Sequence, residues 1–131
     1  MIVVDASVLA NAIGDDDEDG RTARHELRVA GELCAPDLID VETVAVLRKR
    51  WLARTISDQR FDAALGHLER LDFDRAPTLA LMRRAYELRG NVAAYDATYV
   101  ALAEGLECEL LTADRRLARA TGPRCAIRVL P

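Results

Sequence analysis

The chain has 131 residues, half of them apolar, which is enough for one hydrophobic core and too few for a second domain. Its net charge of −4 comes from a single acidic run, Asp15-Asp16-Asp17-Glu18-Asp19; the rest of the chain carries 17 acids against 18 bases, so charge neither demands nor excludes a polyanionic partner. No apolar run approaches the roughly 20 residues of a membrane helix, and the chain enters Ile2-Val3-Val4 without a basic leader, so a soluble, cytoplasmic protein without a membrane partner is expected.

In chain order, Ile2-Val3-Val4 is a short β-branched strand that ends at Asp5 and passes directly into a helix over Ser7 to Ile13. A strand thus delivers Asp5 to a helix N-terminus. The acidic residues 15–19 and Gly20 read as a loop, followed by a helix from Thr22 to Ala30 with Gly31 as its C-cap. Leu33-Cys34-Ala35 is a second strand. Pro36 opens a helix from Asp37 to Arg54, since proline is tolerated in a first turn. Ser57 caps the next helix, in which Phe61, Leu65, Leu68 and Leu71 recur at three- and four-residue intervals. Leu71-Asp72-Phe73 is a candidate short strand. A helix from Thr78 to Leu88 carries Leu79, Met82 and Tyr86 and stops at Gly90; another, from Tyr95 to Glu104, stops at Gly105. A strand over Cys108 to Thr112, a short helix over Arg115 to Ala120 and a last strand over Ala126 to Leu130 complete the chain.

Short apolar strands alternating with helices imply right-handed crossovers. The expected class is therefore three-layer α/β/α in one domain over residues 1–131, with a mostly parallel sheet of four to five strands. Ligands of such sheets bind beyond the carboxyl ends of the strands, where strand order reverses. Asp5 ends the first strand and Asp114 follows the fourth, so the sheet would place both on that edge. Each also stands where an N-cap aspartate is favoured. Glu42 interrupts an apolar stripe formed by Leu38, Val41, Ala45 and Val46; it calls for either a metal or a salt bridge to Arg50 or Arg54. Asp96 lies in a first turn, where the helix dipole favours it, yet among Val92, Ala93, Tyr99 and Val100. Four acids converging on one pocket would repel one another unless a cation intervened, and an all-oxygen set suits magnesium or manganese. Such a site points to phosphoryl chemistry by metal-activated water.

Other chemistry finds little support. The seven glycines stand singly, so there is no phosphate loop. Cys34, Cys108 and Cys125 are odd in number and lie in or beside apolar stretches, as reduced core residues would; with His25 and His67 they form no zinc spacing. Both histidines are expected at the surface. All bases but Lys49 are arginine, which suits bidentate phosphate contacts.

Ile2-Val3-Val4-Asp5-Ala6-Ser7-Val8-Leu9, Tyr95 to Ala103, and Leu111-Thr112-Ala113-Asp114-Arg115-Arg116-Leu117, with Glu42 between the first two, together resemble the PIN-domain ribonucleases of the VapC toxin type over nearly the whole chain. The resemblance implies that Asp5, Glu42, Asp96 and Asp114 are the catalytic, metal-binding quartet for Mg2+ or Mn2+. It implies that Ser7 and Thr112 assist near the scissile phosphate, that RNA is cleaved, that a VapB-like antitoxin occludes the site, and that the chain forms homodimers through helices remote from it. Arg115 and Arg116 are candidates for substrate phosphate, Arg115 the better one, and Arg48, Lys49, Arg50 and Arg54 for an extended track. The acidic run at 15–19 would tune RNA access, meet a basic antitoxin segment or stay solvated. Two other readings compete: a phosphatase using Asp5, which would want an aspartate where Ser7 stands and a late lysine, and a non-catalytic α/β module binding a protein partner, in which the acids are caps and salt bridges.

Overall fold

Ile2, Val3 and Val4 are buried on both faces of the sheet they enter, the environment that a run of β-branched residues suits and a surface strand does not. In the computed structural model, which describes residues 1–131, they form β1 (Ile2–Val4) at the centre of a five-stranded sheet. The others are β2 (Leu33–Pro36), β3 (Asp74–Ala76), β4 (Leu110–Thr112) and β5 (Ile127–Val129), in the order β3-β2-β1-β4-β5, every pair parallel.

Between them run α1 (Ala6–Gly14), α2 (Glu18–Ala30), α3 (Ile39–Leu52), α4 (Asp58–Arg70), a 3-10 turn (Thr78–Leu81), α5 (Met82–Glu87), α6 (Ala94–Gly105) and α7 (Arg115–Ala118). The chain steps outward from β1 to β3 and then returns past β1 to β4 and β5. Right-handed crossovers therefore put α1 to α4 over one face and α5 to α7 over the other, which makes the three-layer α/β/α architecture expected from sequence. Strand order reverses between β1 and β4, so Asp5 and Asp114 leave the sheet side by side on its carboxyl edge. The core joins both faces through Leu9, Ile39, Leu47, Tyr99, Leu110 and Leu111, all fully buried.

Four local differences from the sequence reading have physical causes. The third strand is Asp74–Ala76 rather than 71–73: Cys34, Ala35 and Pro36 pair with Asp74, Arg75 and Ala76, and Arg75 is held by a two-pronged bond to Asp40 while stacking on Phe73. Leu71 instead closes α4. The acidic run is not wholly loop, because Asp17 is the N-cap of α2 and Glu18 and Asp19 form its first turn, where the helix dipole favours negative charge. Gly20 permits that early start, since a Cβ there would lie 1.8 Å from the Asp15 carbonyl oxygen. Pro36 is the end of β2, and α3 begins only at Ile39 because Asp37 is turned toward Thr78, whose amide and hydroxyl it accepts. Finally, the 78–88 segment is a 3-10 turn followed by a short helix that buries Ala85 with the adjoining Leu88, leaving Leu79 84% and Tyr86 57% exposed. The three cysteines are free, Cys34 buried and the other two half-buried, and both histidines are exposed.

Candidate metal centre and active site

Asp5 is the N-cap of α1, and its position one residue beyond a central strand buries it to 4% exposure. Both of its oxygens are held. One oxygen, Oδ1, accepts from the Ser7 amide at 3.1 Å, the Ser7 hydroxyl at 2.5 Å and the Val8 amide at 3.2 Å; the other, Oδ2, accepts from the Thr112 hydroxyl at 2.5 Å. Burial nevertheless pushes the carboxyl above its ordinary range, with these hydrogen bonds acting against the rise.

Ser7 and Thr112 tie the two central strands together at this edge. The Ser7 hydroxyl accepts the Ala113 amide at 3.0 Å, and the Thr112 hydroxyl accepts the Asp114 amide at 3.0 Å, so each hydroxyl both holds Asp5 and fixes the backbone that carries Asp114. Thr112 is fully buried and Ser7 half-buried. Asp114 caps α7 through the Arg116 amide at 2.8 Å and pairs with the Arg116 guanidinium at 3.3 Å, whose bond holds its carboxyl below the ordinary range. Arg115 points elsewhere: it is exposed and lines a small polar recess with Asn11, Asp19 and Thr22.

Glu42, in the first turn of α3, makes no ion pair with Arg50 or Arg54. Its carboxylate accepts the Tyr99 hydroxyl at 2.6 Å. Burial raises its pKa, with the Tyr99 bond opposing and the charges of Asp96 and Asp5 adding to the rise. Asp96, half-buried in the first turn of α6, is raised by burial first and then by the negative charges of Asp5 and Asp114, with Arg116 opposing. Asp96 therefore lies within electrostatic reach of Glu42, Asp5 and Asp114, and Glu42 of Asp5 as well.

No three His, Cys, Asp or Glu side chains close into a direct coordination shell. The donor set is nonetheless all oxygen, which fits a hard divalent cation such as Mg2+ that is held through a few carboxylates and keeps several waters. Of the basic stretch on α3, Arg50 is turned inward onto the Asn11 side chain at 2.5 Å and the Ala10 carbonyl at 3.3 Å, while Arg48, Lys49 and Arg54 are exposed. Sequence reasoning placed Tyr99 only as an apolar neighbour of Asp96. Its spacing of three residues from that acid on one helix face was the signal for a larger role.

With this geometry in view, comparison with known proteins places the chain. The family model described as PIN domain matches residues 2–123. The chain is 39% identical to Ribonuclease VapC9 of Mycobacterium tuberculosis over 131 residues, covering 100% of this chain and 99% of that one. Among solved structures it resembles the M. tuberculosis VapC20, a Sarcin-Ricin loop cleaving toxin, at TM-score 0.63 and 20% identity, with 84% of this chain and 87% of that chain covered. It also resembles VapBC2 from Rickettsia felis, bound to a DNA fragment from their promoter, at TM-score 0.66 and 14% identity over 100% of both chains. The strand order, the acids at its reversal point and these relatives agree: the chain belongs to the PIN domain family, among its VapC ribonucleases.

Proposed function

We propose that this chain, as a single PIN domain over residues 1–131, is a divalent-metal-dependent endoribonuclease and the toxin of a toxin-antitoxin pair. One observation carries the reading. Four carboxylates gather at the reversal point of the sheet; burial raises Asp5, and burial first and neighbouring negative charge second raise Glu42 and Asp96. A fold gathers like charges in this way only for something that neutralises them.

Asp5, Glu42, Asp96 and Asp114 would hold Mg2+ or Mn2+, which when bound supplies an activated water and charge neutralisation at a phosphodiester. The protein's own part is orientation. Ser7 and Thr112 fix both oxygens of Asp5 and so serve substrate binding from behind, by keeping the acid in place. Arg115, exposed at the recess it shares with Asn11, Asp19 and Thr22, would offer its guanidinium to an RNA phosphate, and Arg116 pairs with Asp114. No helix is long and apolar enough to cross a membrane, and an RNA substrate would be met in the cytoplasm. A VapB-like antitoxin would cover the site, and the groove between α3 and α4, lined by Val41, Val44, Leu65 and Leu68, offers it an apolar surface. A second copy of the chain would find exposed apolar side chains at Leu79 and Tyr86.

Incubation of the purified protein with structured RNA and Mg2+ or Mn2+, beside EDTA controls and folded Asp5→Ala and Asp96→Ala variants, tests the reading. Metal-dependent cleavage lost in both variants is expected. Intact RNA across several substrates, with thermal stability indifferent to metal, would leave a protein-binding module instead.

A further inference from the structure

Tyr99 is the largest fully buried side chain in the molecule, and the hydroxyl of a buried tyrosine needs a partner. Its partner is Glu42, at 2.6 Å, across from α6 to α3. Glu42 has no arginine or lysine at ion-pair distance, so this one hydroxyl is what orients its carboxylate. Tyr99 follows Asp96 by three residues on the same helix face, and its hydroxyl lies beside the backbone of Ala6, the residue after Asp5. A phenylalanine would fill the same volume and satisfy the core equally, without the bond to Glu42.

We infer that Tyr99 is a positioning residue of the metal centre: its phenolic O–H fixes the Glu42 carboxylate toward the acid cluster, so the cation affinity of the site depends on a hydroxyl that touches neither cation nor RNA. The inference rests on the metal reading above. Partners of this kind, behind a ligand, typically set affinity by about 10- to 100-fold.

The test is Mn2+ binding, followed by electron paramagnetic resonance on the full chain without RNA. Wild-type protein should bind Mn2+; Tyr99→Phe should bind about 10- to 100-fold more weakly while keeping its circular dichroism. Glu42→Gln should also weaken binding, and adding Tyr99→Phe to it should cost little more, because the hydroxyl acts through that carboxylate. Equal affinity in wild type and Tyr99→Phe, or losses that add in full, would overturn the inference. A wild-type chain that binds no Mn2+ would instead sink the metal reading itself. A second readout does not depend on the folding of Tyr99→Phe. The chain has three tyrosines, so in a Tyr86→Phe, Tyr95→Phe background the tyrosine resonance Raman doublet reports Tyr99 alone. Mn2+ should draw charge from Glu42 and shift that doublet, and a doublet unmoved at saturating Mn2+ counts against the inference.

Discussion

Helix α6 carries an acid near each end, and the fold treats the two in opposite ways. At its tail, Glu104 accepts two bonds from Arg84, at 2.7 and 3.1 Å, and the Arg124 amide at 2.8 Å, and the Arg84 bond chiefly holds its carboxyl below the ordinary range. A negative charge at a helix C-terminus opposes the dipole, so a clasp of this kind is what lets it stay there. At the head, Asp96 has a favourable dipole but is raised, by burial first and then by the like charges of Asp5 and Asp114. The amino edge of the sheet therefore resolves its electrostatics within the protein. The carboxyl edge leaves them unresolved, and that asymmetry marks the site more clearly than any single residue does.

The sharpest way to break the comparison is to neutralise each acid in turn. Asp96→Asn should reduce RNA cleavage by more than about 100-fold, the upper end of what an outer-shell change costs, because it removes a donor rather than a donor's support. In EDTA the same variant should melt no lower than the wild type, since it removes repulsion. Glu104→Gln should do the reverse: it leaves cleavage per folded molecule intact and lowers stability by about 2 kcal/mol, the scale of a charge-assisted hydrogen bond, visible as a drop of several degrees in Tm. If Asp96→Asn proved the destabilising change of the pair, the carboxyl edge would be an ordinary capped surface.

Lowering the pH sharpens the contrast by a smaller amount. Asp96 has a folded-state pKa above its ordinary 3.8, so between the two values the native state binds more protons than the unfolded chain, and stability rises as pH falls through the raised value. Glu104 lies below its ordinary 4.5, so its contribution is intact above 4.5 and is lost as pH falls through the depressed value. Melting in EDTA at successive pH values from about 7 down to about 4.5 should thus show wild type gaining on Asp96→Asn as the raised value is approached, while the gap to Glu104→Gln holds. Saturating Mn2+ should remove the first trend, because a bound cation relieves the same repulsion.

The parts of this design that were legible in the sequence are those set by local chemistry. A β-branched tripeptide ending in aspartate, followed at once by a helix, gives both β1 and the Asp5 N-cap, and the position of Asp114 after β4 follows the same logic. Asp74-Arg75-Ala76 was missed as a strand because nothing in its composition is strand-like: Asp40, 35 residues upstream, holds Arg75, and an edge position against β2 asks for no apolar alternation. The start of α2 was missed because an acidic run reads as a solvated loop, although the same charges favour a helix N-terminus. At the site, the four acids could be named but not the Tyr99 bond to Glu42, for that contact crosses from one face of the sheet to the other and depends on how α3 and α6 meet over its edge. Long-range pairings of this sort belong to packing rather than to sequence pattern.

The smallest expected effect concerns the one cation that does reach the cluster. Arg116 is 91% exposed and pairs with Asp114 at 3.3 Å, a geometry in which solvent screening leaves a surface ion pair little stabilising effect. Arg116→Ala should therefore change Tm little, and Asp114 should remain ionised at neutral pH because losing the pairing only returns its carboxyl toward the ordinary range. The informative changes are of opposite sign. Without a guanidinium competing for Asp114, Mn2+ should bind slightly more tightly, because an exposed and screened pair competes only weakly. With one fewer positive charge at the mouth, RNA should bind more weakly and with a shallower dependence on salt, since about one phosphate contact is lost. Mn2+ titration and KM measured across salt concentrations would separate the two. A variant that lost both Mn2+ and RNA affinity would mean that Arg116 holds Asp114 in place, and the carboxyl edge would then depend on an internal ion pair just as the amino edge does.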